Sequence, residues 1–422
     1  MKIVFVLECC NSITNGTGAT CYRFAEELRK KGHEIIMLGE ELKADQTTHF
    51  TYCGLKHYTF PIFEGLITKD GFNFVKCDPA IIYNAIKGAD LVHLFLPFKL
   101  CSVARLIAEA LDVPVSCAFH LQPQNITSAI HMGKLNFINN ILFYSFRRYL
   151  FDHVRHVHCP STMIKLQLEK HHYEKNTFHV ISNGIIPYFH RIRVNRPEEL
   201  KGKIIVTMSG RLAPEKRQDI IIKAVARSHY NDKIQLVLCG KGPWEKHLVK
   251  LSEKEGLANP LMIRFCDQEQ LREILSMTDI YVHASDFEIE GISAIEAIAC
   301  GAVPVISDAK LSATSSFALS PHSIFKHGSS SSLRKAIEYF ITHPSERQGL
   351  SEAYQQEGES FHLERMVAKM EEMFALAVED HKKGLDINQN RVRRKDEKKK
   401  KKIFKKLLKA GVIDQIPSNI KA

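Results

Sequence analysis

The chain has 422 residues, of which 45% are hydrophobic and 25% charged, so it has room for two or three domains with sizeable cores and is unlike a disordered chain. Its 11 cysteines are scattered and form no C-x-x-C pair, which argues against a disulfide framework and favours a reduced chain. The formal net charge is +11, and segment 391–409 holds 12 Lys or Arg against 2 acidic residues, so the rest of the chain is nearly neutral.

Short apolar runs alternate with helical patterns through the N-terminal half. The sequence predicts a strand at residues 2–7 and a helix at 20–31. Further strands are predicted at residues 34–38, 90–95 and 113–119, with a helix at 100–111. Strands that alternate with helices indicate βαβ units and a parallel sheet.

The same alternation restarts after residue 200. Strands are predicted at residues 203–208, 234–239, 261–265, 280–284 and 303–306, with a helix at 215–228. The polar stretch 191–202 is typical of a linker. We therefore predict an α/β protein of two doubly wound, Rossmann-like domains facing across a cleft, with ligands at the carboxyl ends of the strands. The expected parts are an N-terminal domain (1–190), a C-terminal domain (203–345), C-terminal helices (346–383) and a basic amphipathic tail (391–422).

No targeting or membrane-spanning segment is predicted. The chain opens directly on a strand pattern rather than on a signal-peptide pattern. No uncharged apolar run reaches the ~20 residues that a spanning helix needs. We expect a cytoplasmic protein.

Two glycines open the first predicted helix. Asn15-Gly16-Thr17-Gly18 follows a strand, and a turn of this kind brings backbone N–H groups close to an anion. The full dinucleotide fingerprint would have a third glycine where this chain has Cys21, which disfavours a nicotinamide site. A tight strand-to-helix turn without a ligand is the alternative.

Two cations bracket a loop in the second half. Arg211 and Lys216 lie between the end of a predicted strand and the start of the next helix, after Gly210. Arginine can bond a diphosphate at two points and lysine acts as a point charge, so the pair suits a diphosphate. A pair of solvated charges is the alternative.

Glu296 is the only charged residue between Gly291 and Ser307. In a helix that begins near Gly291 it lies four residues after Ile292, on the apolar side. A buried carboxylate without partners costs several kcal/mol, and a ligand rich in hydroxyl groups would supply them. Bonding to neighbouring backbone is the alternative.

These residues resemble a known family. Glu288-x7-Glu296, with Gly291 three residues after the first glutamate, resembles the E-x7-E motif of family-four glycosyltransferases of the GT-B fold. Gly210-Arg211-x4-Lys216 is similar to the diphosphate clamp of that family, and Ser182-Asn183-Gly184-Ile185 to its turn before the interdomain linker. The resemblance spans roughly residues 1–375. Ile289-Glu290 departs from it, because many members have Pro-Phe there.

A narrower resemblance is to the bacterial cholesterol α-glucosyltransferases, whose relatives glucosylate diacylglycerol. The matching segments are Asn15-Gly16-Thr17, Leu96-Pro97-Phe98, Phe119-His120-Leu121-Gln122-Pro123 and Ser312-Ala313-Thr314. The family match implies UDP-glucose as the donor and retention at the anomeric carbon.

The resemblance also implies roles for single residues. Glu288 would contact the sugar hydroxyls, Glu296 the ribose, and His120 the sugar near its 6-hydroxyl. We expect His120 and Glu288 to be catalytic. The expected donor-binding residues are Gly16 and Gly18 near the diphosphate, Gly291 and Ile292 through their backbone, and Arg211, Lys216 and Glu296.

No metal ion or other cofactor is expected besides the nucleotide-sugar co-substrate. The chain lacks an Asp-x-Asp segment, the motif by which metal-dependent glycosyltransferases hold a divalent ion. Arg211, Lys216 and a helix dipole would stabilise the leaving UDP instead. His153-x-x-His156-x-His158 also fits a metal cluster, although the segment has the pattern of a helix end that runs into a strand.

Two segments point to an anionic membrane surface. In segment 134–152 the residues Leu135, Ile138, Leu142, Phe146 and Tyr149 follow helical spacing, which also fits a core-facing helix. In the tail an apolar face lies among lysines, as in helices that lie in a lipid interface. The expected membrane-binding residues are Lys398, Lys399, Lys400, Lys401, Lys402, Ile403, Phe404, Lys405, Lys406, Leu407 and Leu408. A solvated tail or a nucleic-acid-binding tail is the alternative.

The leading hypothesis is a retaining hexosyltransferase on the inner face of the cell membrane that transfers glucose from UDP-glucose to a sterol or diacylglycerol. A polysaccharide or teichoic-acid primer is the nearer alternative acceptor. A non-catalytic protein whose basic tail binds nucleic acid is a further alternative. We do not expect nucleic acid as a partner, because the body has almost no net charge and no basic stripe.

Overall fold

The computed structural model describes residues 1–8, 16–42, 48–59, 74–129, 135–386 and 394–420. Asn15 of the glycine turn and the start of the basic tail at 391–393 lie outside these residues. The chain divides into two compact units. The first contains residues 1–181 and 367–422, and the second contains residues 182–366.

The first unit is built on a parallel sheet of seven strands. These are β1 (Lys2–Val6), β2 (Glu34–Glu40), β3 (Thr51–Leu55), β4 (Leu91–Leu94), β5 (Val115–Ala118), β6 (His156–Cys159) and β7 (Thr177–Val180). Their order is β3-β2-β1-β4-β5-β6-β7. Ile3 to Val6 are fully buried, as expected for parallel strands that are covered on both faces. Because β1 lies between β2 and β4, the strand order reverses there, and a ligand is expected at the carboxyl end of β1.

Within the described ranges, six α-helices lie between these strands: α1 (Gly16–Lys30), α2 (Pro79–Ile86), α3 (Lys99–Ala110), α4 (Pro123–Ala129), α5 (Asn136–Tyr149) and α6 (Thr162–Lys170). Local capping explains where two of them begin. The Asp78 side chain accepts a hydrogen bond from Ala80 N before α2, and that of Ser161 accepts from Ile164 N before α6.

The second unit holds a parallel six-stranded sheet and a small strand pair. Its strands are β8 (Ile204–Ser209), β9 (Ile234–Cys239), β10 (Met262–Arg264), β11 (Ile280–His283), β12 (Phe287–Glu288), β13 (Val303–Ser307), β14 (Leu311–Ser312) and β15 (Ile324–Phe325). The sheet order is β10-β9-β8-β11-β13-β15, and β12 pairs with β14. The strand order of this sheet reverses between β8 and β11. A ligand is therefore expected at the carboxyl ends of these two strands.

The helices of the second unit are α7 (Gln218–Ala226), α8 (Glu245–Glu255), α9 (Gln268–Met277), α10 (Ile292–Ala299), α11 (Ser330–Thr342) and α12 (Pro344–Glu359). The single helix predicted at 215–228 is instead a 3-10 turn, Pro214–Lys216, followed by α7. Arg217 separates them because its φ of +57° is left-handed and interrupts the helix.

Two further helices, α13 (Leu363–Lys382) and α14 (Arg394–Lys409), end the chain, and residues from 367 onward belong to the first unit. None of the described helices combines the length and the apolar composition that crossing a bilayer requires.

Helix α14 packs against α2 and α3 through its apolar face. Phe404 and Leu407 are fully buried, and the Phe404 ring lies 6.2 Å from the Tyr83 ring in an edge-to-face arrangement. Asp396 bonds the buried Arg105 at 3.1 Å, and Lys400 bonds Glu109 at 2.8 Å. This corrects the expected use of the tail, because Phe404 and Leu407 belong to the core of the unit and do not face a membrane.

Candidate functional site

Two glycine-rich loops follow β8 and β9 and lie backbone against backbone. Gly210 N donates to Cys239 O at 2.9 Å, and Leu212 N donates to Lys241 O at 3.1 Å. A Cβ at Gly240 would collide with the carbonyl oxygen of Gly210. Only glycine permits this approach. It holds the loop that carries the two predicted cations at the ligand edge of the sheet.

Lys216 and Glu288 form an ion pair beside these loops. Lys216 ends the 3-10 turn after β8, and Glu288 ends β12. Lys216 Nζ lies 2.5 Å from Glu288 Oε2. His283, the last residue of β11, has its Nε2 3.6 Å from the same oxygen. The structure therefore joins two residues that belong to different sequence motifs and adds a third, His283, which the motifs did not indicate.

The surroundings of Glu288 keep its carboxylate ionised. Burial raises its pKa, but the charge of Lys216 and the nearby His283 outweigh burial and lower the pKa from 4.5 to about 2. An ionised carboxylate is an acceptor only. At neutral pH Glu288 is thus suited to receive hydrogen bonds from the hydroxyl groups of a ligand.

Gly291 shapes the start of α10. Its φ is +98°, and a Cβ there would collide with the Thr314 side chain and lie 3.4 Å from Glu288 Cγ. Ala294 N donates to the Gly291 carbonyl oxygen at 2.9 Å, which starts the helix. Glycine is required at this point, and it brings the helix start of Ile292 next to Glu288.

Glu290, in the segment that departs from the family pattern, anchors this loop. It is 2% exposed, and its two carboxylate oxygens accept from Asn183 N at 3.1 and 3.0 Å. Burial raises its pKa from 4.5 to about 7, against the hydrogen bonds from Ser182 and Asn183. Glu290 therefore ties the Asn183–Gly184 turn to the loop of Glu288. The only sequence signal was the unusual glutamate itself.

Glu296 lies inside α10 and is 8% exposed. Residues 294–299 are all buried, so the helix is surrounded by protein and does not have the single apolar side that its spacing predicted. Burial raises the pKa of Tyr281 to about 12, and the charge of Glu296 adds to this shift. The Tyr281 hydroxyl bonds Ser209 and Ser293, so Glu296 lies close to a buried hydroxyl network.

The side chain of Arg211 is more exposed to solvent than that of Lys216. Its side chain is 44% exposed, and it pairs with Glu215 at 2.7 Å. An exposed ion pair of this kind contributes at most about 1 kcal/mol. An incoming anion can therefore draw Arg211 away from Glu215 at little cost.

In the first unit, His120 lies two residues after β5 and is 4% exposed. Its ring stacks on Phe95 at 5.6 Å and meets His158 edge-on at 5.0 Å. Burial and the neighbouring histidines lower the pKa of His120 well below its usual value, so the ring is neutral. Its Nε2 has no hydrogen-bond partner within the described ranges.

Gly16 and Gly18 form the first turn of α1, which begins four residues before the predicted start. Glu8, two residues after β1, is a buried carboxyl group that belongs to none of the sequence motifs. Its Oε1 accepts from Leu100 N at 3.2 Å, and burial raises its pKa to about 8. The signal in the sequence was a single acidic residue at the end of an apolar strand.

The three histidines whose spacing also fits a metal cluster contact different partners. His153 lies 3.6 Å from Asp396, His156 bonds Asp380, and His158 Nε2 bonds the Ile181 carbonyl oxygen at 2.7 Å. Among the residues that the structure describes, no three His, Cys, Asp or Glu side chains are grouped to hold a metal ion.

Helix α5 exposes an apolar stripe that differs from the predicted one. Phe146 of the predicted stripe is buried, while Phe137, Ile141 and Tyr144 are 63%, 60% and 57% exposed. These three side chains recur every three or four residues and so share one face of the helix. The Arg147 guanidinium lies 5.5 Å from the Tyr144 ring, so a cation borders the stripe.

Comparison with known families agrees with this architecture. The family model Glycosyltransferase Family 4 matches residues 14–187, and Glycosyl transferases group 1 matches residues 191–357. The solved structure of Anabaena HepE in complex with UDP-glucose has a TM-score of 0.68 at 15% identity, over 89% of this chain and 100% of that chain.

Two curated proteins are similar in sequence over part of the chain. An alpha-monoglucosyldiacylglycerol synthase of Streptococcus pneumoniae is 26% identical over 52% of this chain, and the match spans 51% of its length, about half. A GDP-mannose-dependent alpha-mannosyltransferase of Mycolicibacterium smegmatis is 23% identical over 73% of this chain and 79% of its own length. The chain is therefore a glycosyltransferase of the GT-B fold, in which a Glycosyltransferase Family 4 region precedes a Glycosyl transferases group 1 region.

Proposed function

We propose that this enzyme transfers glucose from UDP-glucose to a membrane lipid, a sterol or diacylglycerol, and forms an α-glucoside with retention. The observation that carries the proposal is the Lys216–Glu288 pair at the ligand edge of the second sheet. A cation for the phosphates and an ionised carboxylate for the sugar hydroxyls lie side by side there. This arrangement suits a nucleotide sugar, which presents both phosphates and hydroxyl groups.

Each charged group has a distinct part in the proposed reaction. Lys216 and Arg211 bind the diphosphate, and the backbone at Gly291 and Ile292 meets the donor at the start of α10. Negative charge that develops on the leaving UDP is stabilised by these fixed groups. Glu288 accepts from the sugar hydroxyls. The only co-substrate in this scheme is the nucleotide sugar, and no other cofactor takes part.

The other predicted site residues complete this scheme. Glu296 receives the ribose hydroxyls. His120 contacts the sugar near its 6-hydroxyl, and its neutral ring offers Nε2 to that group. Gly16 and Gly18, at the first turn of α1, leave room for the diphosphate because they carry no side chain.

The relatives, as well as the site, support the proposed identity of the donor. The pneumococcal relative is named for glucosyldiacylglycerol synthesis, and the solved structure of HepE holds UDP-glucose. The mycobacterial relative uses GDP-mannose, which makes GDP-mannose the second candidate donor. Both donors present a diphosphate to Lys216 and Arg211, so only a direct comparison separates them.

A lipid acceptor is supported by the exposed stripe of α5. Aromatic and aliphatic side chains on one face of a helix, with cations at its border, are suited to the interface of an anionic bilayer. Lys399 of α14 lies 5.7 Å from the Tyr149 ring, so α14 brings lysines to the C-terminal end of α5. We call Phe137, Ile141, Tyr144 and the exposed lysines of α14 the docking surface. The enzyme would thus be a peripheral protein of the inner membrane face.

Transfer is tested with purified enzyme, radiolabelled UDP-glucose or GDP-mannose, and cholesterol, diacylglycerol or an oligosaccharide primer. We expect a labelled glycolipid from UDP-glucose whose linkage is α by NMR. Label in the oligosaccharide alone would show that the acceptor is a primer, the nearer alternative. A folded enzyme that labels no acceptor would contradict the proposal.

Docking is tested by sedimentation with vesicles that contain anionic lipid. The triple variant Phe137→Ser, Ile141→Ser, Tyr144→Ser should lose sedimentation while it keeps its affinity for UDP. Leu319→Ser removes a 48% exposed side chain from the second unit and is the matched control. Replacing Lys402, Lys406 and Lys409 with Glu should weaken binding most at low salt, since each basic residue near the surface contributes about 1 kcal/mol. Unchanged sedimentation of the triple variant would exclude α5 as the docking helix.

A further inference from the structure

His283 is a buried imidazole of the second unit whose ring nitrogens make no hydrogen bond to the described residues. It ends β11 and is 1% exposed. Among the described residues, neither of its ring nitrogens has a hydrogen-bond partner. A neutral imidazole always carries one N–H, and leaving a buried donor unsatisfied costs about 1–3 kcal/mol. An apolar side chain would avoid this cost, so a role in another state of the enzyme is indicated.

Glu288 is the charged group that such a role involves. His283 Nε2 lies 3.6 Å from Glu288 Oε2, somewhat beyond a hydrogen bond, which ends near 3.2 Å. The same oxygen already bonds Lys216 Nζ at 2.5 Å. One carboxylate oxygen thus lies between two nitrogen donors and is bonded to only one of them. A movement of less than about 1 Å would exchange its partner.

We propose that His283 is a positioning residue, which takes over Glu288 from Lys216 when a nucleoside diphosphate binds. The inference rests on the proposed function, because it assigns Lys216 to the phosphates. A diphosphate carries more charge than a carboxylate and attracts the ammonium group of Lys216. Without a second donor, Glu288 would be an unpaired carboxylate with about four fifths of its side chain removed from solvent, which is costly. The Nε2–H of His283 keeps it ionised and aimed at the sugar hydroxyls.

The exchange also gives a reason for the close pairing of the two charges. Lys216 and Glu288 neutralise each other in the pair, so neither charge is left unpaired. Once Lys216 has turned to the phosphates, His283 prevents Glu288 from following it. The carboxylate then becomes available to the sugar only in the complex with the donor.

Three substitutions separate positioning from packing. His283→Leu removes both nitrogens at similar volume, His283→Gln places an amide N–H near the Nε2 position, and His283→Asn places it near Nδ1. In His283→Leu we expect kcat to fall about 10- to 100-fold because Glu288 is misplaced. KM for the donor should change little, since Lys216 and Arg211 remain. His283→Gln should restore most of kcat, and His283→Asn should not.

Thermal melts control for folding. His283→Leu should be as stable as the wild-type enzyme or more stable, because a buried unsatisfied group is gone. A variant that melts well below the wild type has lost packing, and the comparison then moves to His283→Gln and His283→Asn. Normal kcat in both His283→Leu and His283→Asn would overturn the proposal.

A readout that needs no sugar transfer uses selectively ¹⁵N-labelled histidine and NMR. Addition of UDP should move the ¹⁵N signal of His283 Nε2 to that of a hydrogen-bonded N–H. Lys216→Met should give the same signal without UDP. If UDP produces this change and no acceptor is labelled, the exchange stands and the proposed transfer fails. If UDP binds and the signal does not move, the exchange is wrong whatever the enzyme transfers.

Discussion

Lys216 Nζ and Glu288 Oε2 are 2.5 Å apart although 72 positions separate the two residues in the chain. The strand order of the second sheet reverses between β8 and β11. Lys216 lies in the 3-10 turn after β8, and Glu288 lies in β12, which follows β11. The fold thus brings a cation and a carboxylate to the edge where doubly wound sheets bind their ligands. Neither charge is committed to packing, because both side chains keep about a fifth of their surface exposed, at 21% and 20%.

Lys216→Met should weaken UDP binding about 10- to 100-fold, because a charge-assisted bond to phosphate contributes roughly 1.5–3 kcal/mol. It should also raise the pKa of Glu288 above its present value of about 2, since burial then acts without the opposing charge of Lys216. Isothermal titration calorimetry with UDP measures the first effect. Lys223→Met is the matched control, because Lys223 is a lysine of α7 that pairs with Asp219. Equal losses of UDP affinity in both variants would show that the loss comes from the changed net charge and not from a contact between Lys216 and the phosphates.

Glu290 should make the stability of the enzyme depend on pH in an unusual direction. Its pKa is about 7 in the folded state and about 4.5 in the unfolded chain, so the folded state binds more protons between these values. The contribution of Glu290 to stability is therefore greatest below about pH 4.5 and is lost as the pH rises to about 7, by on the order of 3 kcal/mol. Glu290→Gln, which resembles the protonated form, should lack this loss.

The measurement is the difference in unfolding free energy between wild type and Glu290→Gln, from urea titrations across that pH range. We expect the unfolding free energy of Glu290→Gln to increase relative to that of the wild type as the pH rises. The difference isolates Glu290 because all other groups titrate in both proteins. A difference that stays constant with pH would show that folding does not change the pKa of Glu290.

Gly291→Ala should damage both the fold and the site. A left-handed φ of +98° costs a residue with a side chain about 1–2 kcal/mol, and the added methyl group would also collide with Thr314. The loop must shift, and Glu288 shifts with it. We expect a lower melting temperature and a fall of kcat/KM for the donor. Gly256→Ala has a left-handed φ of +77° but no atom within 4 Å, so it should lose stability and keep activity.

The fold could be predicted from the sequence where burial leaves a continuous apolar run. β9 is predicted at residues 234–239 and observed at Ile234–Cys239, because a central parallel strand is covered on both faces. β7 was missed, since this edge strand is half-exposed and its four residues, Thr177 to Val180, give no such run. The spacing of the two glutamates in the motif predicts them as site residues. It does not predict His283 and Glu290, because their roles depend on which residues they face, and spacing does not show that.

The burial of the C-terminal helix α14 could not be predicted from its sequence either, and it can be tested by substitution. Its amphipathic pattern predicted a helix but did not show what covers its apolar face. In the structure Phe404 is fully buried beside Tyr83, and Asp396 pairs with the buried Arg105. Phe404→Ala should therefore cost about 3–5 kcal/mol of stability, as for other buried phenylalanines. An enzyme whose tail lay free on a membrane would lose none.

Urea unfolding in the absence of lipid makes this test independent of docking. Lys409→Ala, an exposed residue on the same helix, is the control and should change stability by less than about 0.5 kcal/mol. The burial also predicts that removing residues 394–420 destabilises the first unit, because α2 and α3 lose their cover. Charge reversal on the exposed lysines is thus the sharper probe of membrane binding, since it leaves Phe404 and Leu407 in place. If Phe404→Ala unfolds like the wild type and loses vesicle binding, α14 must instead place its apolar face in the lipid.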